Sequence, residues 1–312
     1  MQYYDQSLTN TYYQAAFAGR GPVFAWPNAG IYPPSLNWNY GYHHPVTQPA
    51  WGPHYLPRSE HEQGLEQRQR LTFVLIHGSW ADASFWDGIA AELRRMGHTV
   101  HVPEYPGHGA DPNKNVTHAM ITKSVADYIT SRNLQNIILV GHSFGGTIIQ
   151  KVSEMIPDRI KRLVFYNAFV LKDGQSVADE LPAPAREAFE QLRKGSRDDT
   201  IMLPFPVFRE TFANLASLAT AQQLYNQIPP EPAKPLFEKL DLKKFYSLEI
   251  PKSYLFLTED NVLPQGEGFG FHPHMSIRLG LFRLIKERGD HISTAKTEPK
   301  KVAQRIFQAA RD

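Results

Sequence analysis

A pentapeptide at residues 141–145, GHSFG, places one serine hydroxyl between two glycines. It follows an apolar run and opens a second apolar stretch, so we predict a strand, a sharp turn and a helix. Such a turn lifts the Ser143 side chain clear of the sheet, with a backbone strain of about 1–3 kcal/mol. Side chains at Gly141 and Gly145 would collide with the helix or a neighbouring strand. A serine exposed in this way is typical of a nucleophile.

The segment HGSW at residues 77–80 ends the first predicted strand and supplies a second chemical signal. Its glycine lets the backbone turn towards Ser143 and present an N–H group. We expect the amides of Ser79 and Phe144 to form an oxyanion hole, in which each donor contributes roughly 3–4 kcal/mol of transition-state stabilisation. For the His77 ring we predict a structural role that braces this loop, rather than a role as base.

A serine nucleophile needs a base, and the base needs a carboxylate that orients it. Among the 13 histidines, His291 follows the last predicted strand. In a fold with this order of strands and helices, the catalytic base is expected in the loop after that strand. A carboxylate is expected after the preceding strand, where Glu259 and Asp260 are adjacent, and we choose Asp260. Asp290 is too close to His291 in sequence to orient its ring easily, so we expect it to fix the loop.

Short β-branched or apolar runs recur from residue 71 onward and indicate strands buried on both faces. They are 71–76, 99–102, 137–140, 163–166, 254–257 and 281–285. Helical patterns separate them, so we predict an α/β fold with a mainly parallel, doubly wound sheet of six strands. Residues at about 170–248 interrupt this alternation, because they are helical in pattern, rich in Phe and punctuated by Pro. We expect this insertion to form a helical cap above the strand ends.

The chain from 71 to 312 resembles the α/β-hydrolases, in particular a compact six-stranded branch. That branch contains plant methylesterases, hydroxynitrile lyases and many short bacterial esterases. The resemblance rests on FVLIHGSWADASFW, HTVHVPEYPGHG, IILVGHSFGGTII, YLFLTEDNVLP and RLGLFRLIKERGDH, and it covers none of residues 1–70. It implies Ser143 as nucleophile, Asp260 as acid and His291 as base, together with the two amide donors and the cap.

Two departures narrow this resemblance. Hydroxynitrile lyases of the branch carry a lysine directly after the catalytic histidine, and Ile292 occupies that position here. Haloalkane dehalogenases carry an aspartate where this chain has Ser143. The sequence therefore disfavours hydroxynitrile lyase and haloalkane dehalogenase activity. Cofactor-free haloperoxidases use the same triad, so the motif does not distinguish them from esterases.

The residues favour hydrolysis of a carboxylic ester or lactone through an acyl-enzyme, with a small-molecule ester as partner and without a cofactor. An apolar pocket could be lined by Trp80, Phe169, Phe205, Phe208 and Phe212, although Phe at helical spacing also packs between cap and core. We expect a neutral, moderately hydrophobic substrate of small to medium size, with thioesters and amides as open alternatives. A non-catalytic ligand receptor on a hydrolase fold is the alternative from another class.

Two further motifs are interpreted as structural. The HPH sequence at 272–274 has the His-x-His pattern but no accompanying carboxylate spacing, so we predict no metal site. The glycine-rich run at 266–270 lacks a preceding strand and a phosphate-binding lysine. We interpret it as a flexible loop over the site entrance.

Residues 1–56 differ from the rest in composition. They carry two formal charges but 13 of the 37 aromatic residues, separated by Pro, Asn, Gln and Gly. This composition indicates an irregular or disordered extension, and residues 57–70 are then a charged linker. The extension is interpreted as chemically silent, as an anchor to an envelope, coat or polysaccharide, or as a segment packed on its own domain. As an anchor, it would be the functional part of a surface or coat protein.

Whole-chain composition excludes several classes of function. Lys plus Arg is 33 and Asp plus Glu is 31, giving +2, so no nucleic-acid partner is expected. Cysteine is absent, which excludes a thiolate metal site or a cysteine nucleophile. No apolar run is long enough to span a bilayer, and the first residues lack a secretory pattern. The default expectation is a cytoplasmic protein, with surface or coat association as the alternative.

Overall fold

The computed structural model describes residues 70–265 and 268–312. The predicted N-terminal extension and all but the last residue of its linker lie outside the described residues, as do Gly266 and Glu267 of the glycine-rich run. Within the described parts of the chain, no helix is long and apolar enough to cross a membrane.

A parallel sheet of six strands forms the centre of the domain and confirms the predicted fold class. In chain order the strands of the described residues are β1 (Thr72–Ile76), β2 (Thr99–His101), β3 (Ile137–His142), β4 (Ile160–Tyr166), β5 (Thr200–Ile201), β6 (Glu231–Pro232), β7 (Lys252–Leu257) and β8 (Arg283–Glu287). The order across the main sheet is β2-β1-β3-β4-β7-β8. Each pairing in it is parallel, so the carboxyl ends of these strands meet at one edge.

Burial of the inner strands on both faces explains why they appear in the sequence as continuous apolar runs. Every residue of β3 is buried, whereas the edge strand β8 has no buried residue. Strand β8 begins at Arg283, two residues later than predicted. The reason is a turn at Gly280, whose φ is 71°, after which Leu281 remains 97% exposed.

Helices connect the strands and cover the sheet. The α-helical segments of the described residues are α1 (Asp87–Arg95), α2 (His118–Ser131), α3 (Gly145–Met155), α4 (Ala183–Gly195), α5 (Phe205–Val207), α6 (Leu218–Tyr225), α7 (Lys234–Phe237), α8 (Lys243–Tyr246), α9 (Ser293–Thr297) and α10 (Pro299–Ala310). Helix α1 packs against α10, and α2 packs against α3. Such pairs are expected when helices cover both faces of a parallel sheet.

The chain between β4 and β7 forms the cap, at the position predicted for it. It is not wholly helical as the pattern indicated, because β5 and β6 pair in an antiparallel ribbon. Each ribbon strand has two residues, which is too short to leave an alternating pattern in the sequence. The ribbon places Ile201 opposite Glu231.

A buried histidine makes the stability of this fold dependent on pH. His118 opens α2, is 2% exposed and shares a 2.9 Å hydrogen bond with the Thr147 hydroxyl. Burial lowers the pKa of His118 to about 3, and the charge of Lys151 adds to the effect. An unfolded chain keeps a histidine pKa of about 6.5, so below that pH it binds a proton that the folded protein does not.

We expect His118 to remove up to about 1.4 kcal/mol of unfolding free energy per pH unit as the pH falls from about 6 to 4. The stability is therefore fully present above the unfolded pKa and is lost towards acid. His118→Gln keeps a hydrogen-bonding side chain but cannot be protonated, so its unfolding free energy should depend less steeply on pH. Urea unfolding at several pH values measures both slopes, and equal slopes would contradict this role.

Candidate active site

Ser143 lies in a left-handed turn between β3 and α3. Its φ is 55°, which an L-residue adopts only when its surroundings impose it. The Ser143 amide donates to the Tyr166 carbonyl at 3.2 Å. The Ser143 carbonyl accepts hydrogen bonds from the Gly146 and Phe169 amides at 3.0 and 3.1 Å. These bonds fix a turn from which the hydroxyl reaches the cavity described below.

The glycines on either side of this turn are required by close backbone contacts, as expected from the sequence. A Cβ atom on Gly141 would lie 2.5 Å from the Gly145 carbonyl oxygen. A Cβ atom on Gly145 would lie 2.7 Å from the carbonyl oxygens of Ile76 and His77. Backbone atoms cannot rotate away, so any larger residue would push α3 off the sheet.

The loop after β1 lies directly against Ser143. A Cβ atom on Gly78 would be 2.6 Å from the Ser143 Cβ and 3.2 Å from its Oγ. Ser79 and Ser143 line the same cavity. Phe144 immediately precedes α3, so its amide belongs to the helix N-terminus, where N–H groups lack partners within the helix. The two amides predicted as oxyanion donors therefore belong to segments that flank Ser143.

Asp260 and His291 form a buried pair after β7 and β8. The Nδ1–H of His291 donates to Asp260 Oδ2 at 2.5 Å, and each side chain is at most 1% exposed. The Val262 amide donates to Asp260 Oδ1 at 2.9 Å, and the Asn167 side-chain amide donates to Oδ2. Within the described residues, His291 Nε2 is buried and has no hydrogen-bond partner, so the structure contains no hydrogen bond from it to Ser143.

Aromatic rings hold the His291 imidazole in place. The Phe271 ring stacks on it with centroids 5.7 Å apart, and the Phe212 ring meets it edge-on at 5.4 Å. The His142 ring lies 4.5 Å away, and its Nε2–H donates to the His291 carbonyl at 3.0 Å. Burial holds the pKa of His142 well below its ordinary value, and proximity to His291 adds to this shift. Because His142 directly precedes Ser143, these contacts bring the imidazole of His291 to the turn that contains Ser143.

Asn167 was not identified from the sequence. It follows β4 with a φ of 37°, and its carboxamide bonds to both the amide and the carbonyl of Leu257, at 2.6 and 3.2 Å. The same side chain donates to Asp260 and so ties the carboxylate to the end of β7. An asparagine directly after a strand is the available signal, because Asn tolerates left-handed backbone better than most residues.

The alternative acids have other partners. Glu259 pairs with Arg288 at 2.7 Å near the surface. Asp290 accepts hydrogen bonds from the Thr294 amide at 2.8 Å and from the Leu215 amide at 3.0 Å. Asp290 therefore fixes the loop and joins it to the cap, as expected.

The other histidines that were considered also have structural partners. The His77 ring bonds to Glu104 at 2.8 Å and shares a 2.9 Å hydrogen bond with the Tyr105 hydroxyl. These contacts agree with a role in bracing the loop. His272 bonds to the Ser276 hydroxyl at 2.7 Å, and His274 lies 3.3 Å from Glu180. Across residues 70–265 and 268–312, no group of three or more His, Asp or Glu side chains converges as a metal site would require.

An apolar cavity of about 540 Å³, including its open mouth, lies beside Ser143. Its lining comprises Ser79, Trp80, Ser143, Phe169, Val177, Leu181, Pro182, Ala185, Phe189, Leu203, Val207, Thr211, Phe212, Leu236 and Val262. None of these side chains is charged. A ligand group carrying a charge would therefore lose its water without gaining a partner.

Two of the predicted lining residues are placed elsewhere. Phe205 packs on the Tyr225 ring at 5.2 Å, and Phe208 packs on the same ring at 5.5 Å. Neither belongs to the cavity lining, because both turn towards α6 of the cap. Trp80, Phe169 and Phe212 do line it.

The profile of the alpha/beta hydrolase family matches residues 73–305. The chain therefore belongs to the alpha/beta hydrolase family. This result confirms the resemblance inferred from the sequence motifs.

An extracellular alpha/beta-hydrolase from a Paenibacillus species is 64% identical to this chain, with a TM-score of 0.76. The match covers 78% of this chain and 100% of that one. That protein is described as sharing structural and functional homology with tobacco salicylic acid binding protein 2.

Two further relatives carry esterase names. The carbendazim hydrolyzing esterase of a Nocardioides species is 38% identical over 113 residues, which are 35% of this chain and 47% of that protein. Putative methylesterase 15, chloroplastic, of Arabidopsis thaliana is 26% identical over 229 residues, covering 69% of this chain and 51% of that protein. The chain spans about half the length of these two curated relatives.

The pairing of Asp260 with His291 leads to a prediction with a neighbouring control. Asp260→Asn should lower kcat for p-nitrophenyl acetate by about 10³- to 10⁴-fold, because the imidazole loses its orienting carboxylate. Glu259→Gln breaks only a near-surface ion pair and should leave kcat within about threefold of the parent. Steady-state kinetics of the two variants decide, and similar losses in both would contradict the assignment of the acid.

Proposed function

We propose that the protein is a serine hydrolase that cleaves a neutral carboxylic ester or lactone through an acyl-enzyme. The observation that carries the proposal is that Ser143 lines an apolar cavity at the sheet edge that holds the buried Asp260–His291 pair. The names of the relatives, methylesterase and carbendazim hydrolyzing esterase, support ester chemistry.

In the first half of the proposed reaction, Ser143 Oγ attacks the ester carbonyl carbon while His291 Nε2 takes the hydroxyl proton. Because His291 Nε2 has no hydrogen-bond partner among the described residues, it is available to take this proton. Negative charge develops on the carbonyl oxygen and is stabilised by the amides of Ser79 and Phe144. The Asp260 carboxylate accepts the hydrogen bond from His291 Nδ1–H and stabilises the imidazolium.

Collapse of the tetrahedral intermediate breaks the bond to the alkoxy oxygen. His291 gives its proton to that oxygen, the alcohol departs, and the acyl group remains on Ser143. Water then repeats the sequence: His291 takes a proton from it, the hydroxyl adds to the acyl carbon, and Ser143 regains its proton as the acid leaves. The proposed reaction needs no cofactor.

The cavity supports a preference for uncharged, apolar substrates. Phe169, Phe189 and Phe212 contribute aromatic surface. Among the described residues, the polar side-chain groups of the lining are the hydroxyls of Ser79, Ser143 and Thr211 and the indole N–H of Trp80. That indole N–H is already bonded to the Ile201 carbonyl at 2.8 Å. We therefore propose esters of hydrophobic acids with small alcohols, of which methyl esters fit the name of the plant methylesterase.

Loss of the nucleophile should abolish turnover. Ser143→Ala is expected to lower kcat/KM for p-nitrophenyl acetate by at least about 10³-fold, since the covalent route is lost. Ser153→Ala is a matched control, because Ser153 is buried in α3 and bonds to the Gln150 carbonyl away from the cavity. Activity of Ser143→Ala within about tenfold of the parent would contradict the proposal.

Substrate charge tests the cavity separately from the nucleophile. Dimethyl terephthalate and monomethyl terephthalate share a ring and a methyl ester, but the second carries a carboxylate. We expect kcat/KM to be at least about 100-fold lower for the charged ester, because no cationic side chain among the described residues lines the cavity. Equal values for the two esters would show that the substrate does not enter this apolar cavity.

A further inference from the structure

Trp80 has an unusual backbone for a bulky residue. Its φ is 53°, in the left-handed region that large side chains rarely adopt. It directly follows Ser79, whose amide is the proposed oxyanion donor of this loop. A left-handed residue persists only where its surroundings hold it, and such residues are concentrated at active sites. The contacts that hold Trp80 fix the peptide plane between Ser79 and Trp80, which is the neighbour of the plane that carries the Ser79 amide.

One residue pair of the cap ribbon makes the contacts that hold Trp80. Ile201 on β5 and Glu231 on β6 are opposite each other in the ribbon. The Trp80 indole N–H donates to the Ile201 carbonyl at 2.8 Å. The Trp80 backbone N–H donates to Glu231 Oε2 at 2.7 Å. Side chain and backbone of the strained residue are thus attached to the same point of the cap.

Glu231 is a carboxylate with no exposed surface. Its second partner is His108, whose Nε2 lies 3.1 and 3.3 Å from the two carboxylate oxygens. Burial by itself lowers the pKa of His108, but Glu231, the Pro106 carbonyl and Glu104 together raise it more, so the net shift is upward. A buried ion pair is weak evidence for stability, because desolvation offsets the attraction. Its position behind the loop points to a different role.

Glu231 does not line the cavity and so does not reach a substrate bound there. We propose that Glu231 is a positioning residue, which holds Trp80 in its left-handed conformation and thereby aims the Ser79 amide at the developing oxyanion. The inference rests on the proposed function, because it assumes that the Ser79 amide is an oxyanion donor. Its effect should appear in the transition state and not in substrate binding.

The test compares three substitutions of Glu231 by the kcat and KM of p-nitrophenyl acetate hydrolysis. Glu231→Ala should lower kcat by about 10- to 100-fold with KM within about threefold, because one oxyanion donor is misdirected. Glu231→Asp keeps the charge beside His108 but draws the carboxylate away from Trp80, so kcat should fall although folding is preserved. Glu231→Gln retains an acceptor for the Trp80 amide and should restore kcat to within about threefold of the parent.

A transition-state analogue provides a second readout. The inhibition constant of a trifluoromethyl ketone should weaken in Glu231→Ala and Glu231→Asp by the same factor as kcat/KM. The matched control is Glu180→Gln, since Glu180 is also a nearly buried cap carboxylate but pairs with Arg278. Glu180→Gln should lower the thermal midpoint without changing kcat or the inhibition constant beyond about threefold.

The outcomes separate this inference from the proposed function. Unchanged kcat in both Glu231→Ala and Glu231→Asp, with activity lost in Ser143→Ala, would overturn the positioning role alone. An equal loss of kcat in Glu180→Gln would also overturn it, because the effect would then follow from general destabilisation of the cap. Activity retained in Ser143→Ala would instead overturn the proposed function itself.

Discussion

The left-handed turn at Ser143 is the constraint on which the rest of the site depends. The backbone of the turn passes so close to β1 and α3 that Gly141 and Gly145 have no space for a side chain. The turn ends β3 and begins α3 within two residues. It leaves the Ser143 hydroxyl at the carboxyl edge of the sheet. A parallel sheet collects its loops at that same edge. Asp260 and His291 follow β7 and β8, so their loops lie at the same edge as the Ser143 turn.

The Asp260 carboxylate near this turn is buried and fully bonded, which holds it in a fixed orientation. Asp260 accepts hydrogen bonds from His291, Asn167 and the Val262 amide, so its two oxygens are held from three directions. Glu231 joins the cap ribbon to the loop after β1. The cap therefore contributes to the site in two ways. It supplies most of the apolar cavity wall, and it is bonded to the backbone of the proposed oxyanion loop.

The sequence was informative where the constraint is local or follows from chain order. The glycines at 141 and 145 could be interpreted because the collision is between near neighbours, and Asp260 could be placed beside His291 because parallel strands deliver their loops to one edge. Asn167 and Glu231 could not be found, since their partners lie 93 and 151 residues away and no spacing in the chain reports them. The cap ribbon was missed because two-residue strands carry no periodicity. Phe205 and Phe208 were misplaced because spacing on a helix does not tell which neighbour a ring will contact.

In the proposed mechanism, the Ser143 hydroxyl reacts while the amides of Ser79 and Phe144 hold the oxygen of the reacting group. A crystal structure of the protein after reaction with a p-nitrophenyl phosphonate tests it most directly. We expect a covalent bond from phosphorus to Ser143 Oγ, with the phosphoryl oxygen about 3 Å from the amide nitrogens of both Ser79 and Phe144. Phosphorus on any other side chain, or a phosphoryl oxygen that points away from both amides, would contradict it.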